Sequence, residues 1–209
     1  MTPDLLADAL LISMDKAYRW ASPINLAISR FEIDRPKRLA AFLVHISRES
    51  DHLNRTSVEL MNISPRRVHA FWPDIFPTME EAKLYALGSG ERLANRVFAN
   101  RNGNGNANSG DGYRFRPRGL LPLCGKNVYQ EVSDALGFDF IARPQELAAD
   151  HWAALSAGWY WKEQRFNQLA DAGDIKAITA ILDRRHLTDG RADHNEISVA
   201  YREALQVLK

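Results

Sequence analysis

The segment RNGNGNANSGDGYRFRPRG, residues 101–119, limits most strongly what this chain can fold into. Asn and Gly alternate through its first half, and both residue types favour turns and left-handed backbone over helix. An aromatic and basic run, YRFRPRG, follows at residues 113–119. The chain must therefore place a long irregular loop near its middle and build the rest of its fold around that loop.

Apolar residues recur at helical spacing on both sides of the loop, which predicts a mostly α chain of about eight helices. One helix is predicted over residues 4–19, and a second begins after Asp34, the expected N-cap, with Pro36 in its first turn. Further helices are expected at about 64–72 and in TMEEAKLYAL, ERLANRVFA, KNVYQEVSDALG, PQELAADHWAALSAGWYWKEQ, GDIKAITAILDRR and NEISVAYREALQVLK. The helix containing HWAALSAGWYW is apolar nearly all round and is expected to be central. The two prolines of YRFRPRGLLPL allow only a short edge strand after the loop.

The length of 209 residues suffices for one good core or for two small subdomains around a cleft, and we expect a single domain covering residues 1–209. Hydrophobic residues make up 45% of the chain and charged residues 25%, as in an ordinary globular protein. The net charge of +1 counts against a nucleic-acid-binding protein. No apolar run approaches the roughly 20 residues of a membrane span, and Asp4 and Asp8 stand where a signal peptide carries basic residues. We expect a monomer made without an export signal.

The sequence contains no complete motif for binding a cofactor or a metal. A dinucleotide fingerprint would need Gly at position 108, which is Asn108, and no strand precedes the loop. Neither starting frame of the loop supplies the glycine of a calcium-binding EF-hand. The six histidines show no metal-ligand spacing, and Cys124 is the only cysteine, so an intramolecular disulfide is impossible. No cofactor and no metal are expected.

Glu49 is the first candidate catalytic residue. It follows Leu39, Phe42 and Ile46 at spacings that put all four residues on one face of the helix. A carboxyl group there is partly desolvated and close to the negative end of the helix dipole, and both effects favour the protonated form that a general acid needs. The alternative is a glutamate at a frayed helix end that reaches solvent and pairs with a nearby arginine.

Glu59, in RTSVELMNIS, is the second candidate and lies outside the helix. Two acids that flank a groove are the minimum requirement for glycoside hydrolysis, because one donates a proton while the other activates water. Spacing alone cannot single out this pair among 26 acidic residues. The cluster of Trp152, Trp159, Tyr160 and Trp161 has two interpretations, a platform for stacking sugars or part of the core.

The order of several segments resembles glycoside hydrolase family 19, especially its small bacteriophage endolysin and bacterial chitinase-like members. These segments are FLVHISRES, ERLANRVFANRNGNGNANSGDGYRFRPRGLLPL, RPQELAADHWAALSAGWYW, FNQLADAGDIKAIT and the terminal helix. The resemblance implies a mainly α, lysozyme-like, two-lobed helical domain with a substrate cleft, in which the long Asn/Gly loop leads to a short strand. It implies an inverting mechanism on β-1,4-linked N-acetylated sugars, in chitin or in peptidoglycan.

The resemblance also assigns roles to residues. Glu49 matches the general acid and Glu59 the general base. Further residues are implied to bind substrate or to position water: Tyr113, Arg116, Arg118, Cys124 and Asp183. Of these, Cys124 stands where the family has a Ser or Thr hydroxyl, and Asp183 where it has a substrate-binding Asn.

Several other polar positions of the family pattern are changed here. Arg48 replaces a His, Pro122 a Gln, and Val128 an Asn, while a Gly has become Pro117 and an Arg near the C-terminus has become His194. The positive charge of Arg48, together with Arg184 and Arg185, would suit an anionic ligand.

The resulting hypothesis is a peptidoglycan glycan-strand hydrolase of endolysin or muramidase type, from a bacteriophage or prophage. It would be made in the bacterial cytoplasm and would act on the cell wall after release. The first alternative is a catalytically degenerate member of the family that binds a glycan or a protein partner, and the second is a chitinase.

Overall fold

The computed structural model describes residues 1–183 and 194–209, and Arg184 and Arg185 lie outside the described residues. The described part is mainly α. Its helices are α1 (Pro3–Leu10), α2 (Met14–Arg30), α3 (Pro36–Glu49), α4 (Pro65–Phe71), α5 (Met79–Ala86), α6 (Glu91–Val97), α7 (Asp111–Arg114), α8 (Lys126–Leu136), a 3-10 helix (Pro144–Ala148), α9 (Asp150–Glu163), α10 (Phe166–Ala172), α11 (Ile175–Asp183) and α12 (His194–Val207).

The prediction of one helix over residues 4–19 is wrong in its bounds. Leu11 adopts a left-handed conformation (φ 52°) and ends α1, and α2 then continues to Arg30 with Pro23 inside it. Helices commonly end in this way at Gly or Asn, and neither residue is present here to signal the break. The packing of α2 along α9 explains why the helix tolerates the proline, since tertiary contacts outweigh local preference.

Helix α3, which carries Glu49, begins as expected at Pro36, but the expected cap is wrong. Arg35 occupies the N-cap position without a side-chain cap bond. The carboxylate of Asp34 instead lies 3.4 Å from Nη1 of Arg38, one turn into the helix. Pro36 still suits the first turn, because the N–H that proline lacks would have no helical partner there.

Two separate hydrophobic cores form the two lobes. The larger core gathers α1, α2, α3, α8, α9, α10, α11 and α12, and the smaller one is built from α4, α5, α6 and the segments beside them. Helix α9 is central to the larger core, as predicted, since residues 153–161 are all buried. None of the described helices combines the length and apolar character that a membrane crossing requires.

The extended segment after the Asn/Gly loop makes two isolated antiparallel bridges rather than a regular strand. Arg118 pairs with Ser57 on one side and with Leu123 on the other. The first residues of YRFRPRG form the single helical turn α7. Pro117 and Pro122 lack the N–H groups that a longer ladder would need, which accounts for the short pairing.

Candidate active site

A cleft of about 1470 Å³ lies between the two lobes. On one side, which we call the helical wall, it is lined by Arg48 and Glu49 of α3, Val128 and Glu131 of α8, and Trp159, Tyr160 and Glu163 of α9. On the other side, which we call the loop wall, it is lined by Arg55, residues 57–63, Arg67, Phe71, Trp72, Phe98 and Arg101. Between the two walls the cleft is lined by Pro117, Gly119, Leu121, Pro122 and Cys124. Both candidate carboxylates therefore line one cleft, on opposite walls.

The Asn/Gly loop is held by hydrogen bonds to the segments that precede and follow it. The buried Asn104 side chain donates to the carbonyl of Phe98 at 3.0 Å and accepts from the amide of Lys126 at 2.9 Å. Gly103 has a positive φ of 81°, and a Cβ there would come within 2.0 Å of the Asn127 side chain. The positive φ strains any residue with a Cβ, and the Asn127 side chain would also have to move to admit one.

The loop delivers a segment that supports Glu59. The amide of Val58 donates to the carbonyl of Pro117 at 2.9 Å, and the amide of Gly119 donates to the carbonyl of Thr56 at 2.9 Å. These bonds fasten residues 56–58 to residues 117–119. The long loop thus positions the chain immediately before Glu59.

Hydrogen bonds hold the carboxylate of Glu59 through its oxygen Oε1. Its Oε1 accepts from Ser57 Oγ at 2.7 Å and from Arg116 Nη2 at 2.8 Å and Nε at 3.1 Å. Partial burial favours the neutral acid, but the hydrogen bonds from Arg116 and Ser57 and the charges of Arg116 and Arg118 outweigh it. The pKa of Glu59 is therefore lowered from its ordinary value.

Glu49 sits at the end of α3 with its side chain only 4% exposed. Its Oε1 lies 3.4 Å from Nη1 of Arg48, whose Nη2 donates to Oδ1 of Asp183 at 2.6 Å. Arg48 thus stands between two carboxylates and links the end of α3 to the end of α11. The structure brings Asp183 to Arg48, and Asp183 is not among the residues that line the cleft.

His45, one turn before Glu49, belongs to the core. It is fully buried, its Nδ1 donates to the carbonyl of Ala41 at 2.7 Å, and its Nε2 lies 3.0 Å from Oγ1 of Thr179. Burial is the largest influence and lowers the pKa of His45 to about 4. His45 is therefore neutral near pH 7 and joins α3 to α11.

The remaining predicted site residues divide into two groups. Cys124 lines the cleft together with two of the residues that depart from the family pattern, Pro122 and Val128. Tyr113 packs against the smaller core, with its ring centroid 4.3 Å from the Arg116 guanidinium. Arg118 is only 4% exposed and donates to the hydroxyl of Tyr129 at 2.8 Å. Arg118 thus lies behind the lining of the cleft.

The aromatic cluster belongs to the core, and two of its members also line the cleft. Trp161 is fully buried and makes edge contacts with Phe42 and Phe166. Trp159 and Tyr160 are also buried, yet both line the cleft. The last two turns of α9 therefore contribute aromatic surface to the helical wall while anchoring it to the core.

Sequence reasoning missed the polar partners of Glu59. Ser57 was detectable, because in an extended segment residues two apart lie on the same side. Arg116 was predicted to contact ligand, and its pairing with a residue 57 positions away carries no local signal. Within residues 1–183 and 194–209, no group of three or more His, Cys, Asp and Glu side chains is arranged to hold a metal ion.

Comparison with known proteins identifies relatives of this chain. Over 141 residues, 67% of this chain and 67% of the relative, the sequence is 34% identical to a Haemophilus influenzae protein described as a glycosyl hydrolase family 19 domain-containing protein. No family model matches the chain. The aligned region covers about two thirds of each protein, so the similarity concerns most of the chain rather than one motif.

Proposed function

The chain belongs to glycosyl hydrolase family 19, and from this premise we propose that it hydrolyses β-1,4 links between N-acetylated sugars in bacterial peptidoglycan. The observation that carries the proposal is the pair of carboxylates, Glu49 and Glu59, on opposite walls of one cleft. Two such groups are what an acid–base glycosidase requires.

In the proposed reaction Glu49 is the general acid and Glu59 the general base. Glu49 gives its proton to the glycosidic oxygen as the bond from that oxygen to the anomeric carbon breaks. Glu59 takes a proton from a water molecule whose oxygen attacks the anomeric carbon from the opposite face, which inverts its configuration. The lowered pKa of Glu59 supports this assignment, because a base must be ionised before it acts.

The arginines of the loop wall support peptidoglycan over chitin as the proposed substrate. The loop wall carries Arg55, Arg67 and Arg101 beside Glu59, whereas the helical wall has one arginine, Arg48, and three glutamates, Glu49, Glu131 and Glu163. Chitin is neutral and gains nothing from cationic groups along its path. The peptide stems of peptidoglycan carry carboxylates that would meet the arginines. On this proposal the protein acts at the cell wall.

The test is digestion of purified peptidoglycan, followed by turbidity and by mass spectrometry of the soluble fragments. We expect turbidity to fall and the fragments to be disaccharide-peptides whose reducing ends are muramic acid. Chito-oligosaccharides of matched length serve as the neutral substrate. Their faster cleavage would make the protein a chitinase, and cleavage of neither substrate would overturn the proposed activity.

A second candidate function is glycan binding without hydrolysis. Its support is that Pro122, Cys124 and Val128 line the cleft at positions where the family pattern has groups that hydrogen-bond substrate or water. Proline lacks a polar side chain, and a thiol is a weak hydrogen-bonding group. Co-sedimentation with insoluble peptidoglycan, without release of fragments over a long incubation, would favour this candidate.

A further inference from the structure

The guanidinium of Arg116 is fixed on several sides. Its Nε and Nη2 donate to Glu59, and its Nη1 donates to the carbonyl of Tyr113 at 3.1 Å. The ring of Tyr113 packs against the guanidinium, with 4.3 Å from Cζ to the ring centroid. The main-chain carbonyl of Arg116 is held in turn by the hydroxyl of Tyr129 at 2.7 Å. Such a group is preorganised before any ligand arrives.

In the part of the chain that the structure describes, the hydrogen bonds to the Glu59 carboxylate all end on the same oxygen. Ser57 and both nitrogens of Arg116 reach Oε1, and within residues 1–183 and 194–209 no hydrogen bond reaches Oε2. A carboxylate held by one oxygen keeps a defined orientation and leaves the other oxygen for a further partner. In a general base that partner is the attacking water.

We propose that Arg116 is a positioning residue that, with Ser57, holds Oε1 of Glu59 and leaves Oε2 to the nucleophilic water. The inference rests on the proposed function and deepens it. It replaces the expectation that Arg116 contacts substrate, because each of its three guanidinium nitrogens already donates within the protein and its side chain is only 15% exposed.

The electrostatic consequence has a definite sign. Burial on its own would raise the pKa of Glu59, and the opposing influences are the hydrogen bonds from Arg116 and Ser57 and the charges of Arg116 and Arg118. The other charged groups lining the cleft are Arg55, Arg67 and Arg101 on the Glu59 side and Arg48, Glu49, Glu131 and Glu163 on the opposite wall. Removal of the Arg116 charge takes away one of the influences that lower the pKa of Glu59, so the effect of burial, which raises that pKa, becomes stronger by comparison. The protonation of Glu59 should then move to higher pH.

The experiment compares Arg116→Gln and Arg116→Lys with the control Arg114→Gln, which removes the same charge two residues away. Arg114 donates to the carbonyl of Ile141 rather than to Glu59. The first measurement is a carboxyl carbon-13 NMR titration of labelled glutamate, with the Glu59 signal assigned by its loss in Glu59→Gln. It reports on Glu59 whether or not the protein cleaves glycan, so failure of the proposed function and failure of this inference remain distinguishable.

We expect the Glu59 titration to move to higher pH in Arg116→Gln, to move less in Arg116→Lys, and to stay in place in Arg114→Gln. On peptidoglycan, Arg116→Gln should lower kcat roughly 10- to 100-fold with little change in KM, as expected for a displaced catalytic group. The acidic limb of its pH profile should also shift upward. A Glu59 titration that is the same in Arg116→Gln and Arg114→Gln would overturn the inference. A rise in KM at unchanged kcat in Arg116→Gln would instead mean that Arg116 binds substrate.

Discussion

The two walls of the cleft present their carboxylates by different means. Glu49 ends a 14-residue helix whose inner face lies in the larger core, and its side chain is 4% exposed. Glu59 stands in an irregular segment with its side chain 39% exposed, and it is held by Ser57 and Arg116. Packing therefore places the first carboxylate and hydrogen bonds place the second.

This difference matches the two tasks of an inverting glycosidase. The acid must deliver its proton to the leaving oxygen from a fixed position, which the packed end of α3 provides. The base must be ionised and aimed at water, which charged hydrogen-bond donors favour. The two walls are thus suited to opposite halves of the proposed reaction.

Replacement of the helical-wall carboxylate should have the largest effect. Glu49→Gln keeps the shape and the oxygen that faces Arg48, and it removes the transferable proton. We expect the rate on peptidoglycan to fall by roughly 10³-fold, within the range for loss of a general acid. Glu203→Gln, an exposed change in α12, is the matched control. Full activity of the folded Glu49→Gln protein, with a melting temperature within about 4 °C of wild type, would refute the assignment.

The loop-wall carboxylate should matter nearly as much. Glu59→Gln retains an amide oxygen that can accept from Ser57 and Arg116, so the segment should stay in place. The amide cannot take a proton from water, and we expect a loss of roughly 10²-fold in kcat. Rates measured on the same peptidoglycan preparation would check this. A loss of less than about fivefold would mean that another group activates the water.

The sequence predicts the helical wall well because packing leaves a periodic trace. Leu39, Phe42 and Ile46 recur at helical spacing, so the face and the end of α3 follow from pattern, and Glu49 with them. The same kind of pattern wrongly predicted one continuous helix over residues 4–19. The exposed Leu11 breaks that helix, although no Gly or Asn is present. A break made by one left-handed residue of ordinary type has no periodic signature.

The loop wall was predictable only in part, because its contacts join residues far apart in the chain. The Asn/Gly alternation predicted a long irregular loop, and hydrogen bonds of Asn104 hold that loop in the structure. Nothing near Glu59 indicates that Arg116 will reach it or that Arg118 will be buried beside Tyr129. These pairings depend on how the two lobes meet. A single sequence does not encode that arrangement in its spacing.

Breaking the loop should weaken the loop wall and spare the helical wall. Asn104→Ala removes the bonds to Phe98 and Lys126, and the loss of the buried bond to the Phe98 carbonyl should cost about 1–3 kcal/mol. Amide hydrogen exchange should rise in residues 98–126 and around Glu59, and stay unchanged in α3. Asn108→Ala, an exposed asparagine of the same loop, should change stability by less than about 0.5 kcal/mol. Equal destabilisation by both changes would mean that the loop is not held through Asn104.

The smallest effect concerns Cys124, which lines the cleft between the two walls. The family resemblance puts a hydroxyl at this position to orient the nucleophilic water, and a thiol is a weaker donor and acceptor. If the cleft uses the two carboxylates as proposed, Cys124→Ser should raise the rate on peptidoglycan. One improved hydrogen bond in the transition state is worth about 1 kcal/mol, or roughly fivefold.

The thiol has no part in the proposed chemistry, so its removal should not abolish activity. Cys124→Ala is the matched control, since it deletes the thiol without adding a hydroxyl, and its rate should stay within a few-fold of wild type. A nucleophilic cysteine would need an activating base beside it. The carboxylate assigned here as base is instead held by Ser57 and Arg116. Loss of activity in both variants, or inactivation of the wild type by iodoacetamide with its fold intact, would replace the two-carboxylate mechanism with thiol chemistry. A faster Cys124→Ser protein would show that hydrogen bonding to the water between the walls limits the rate.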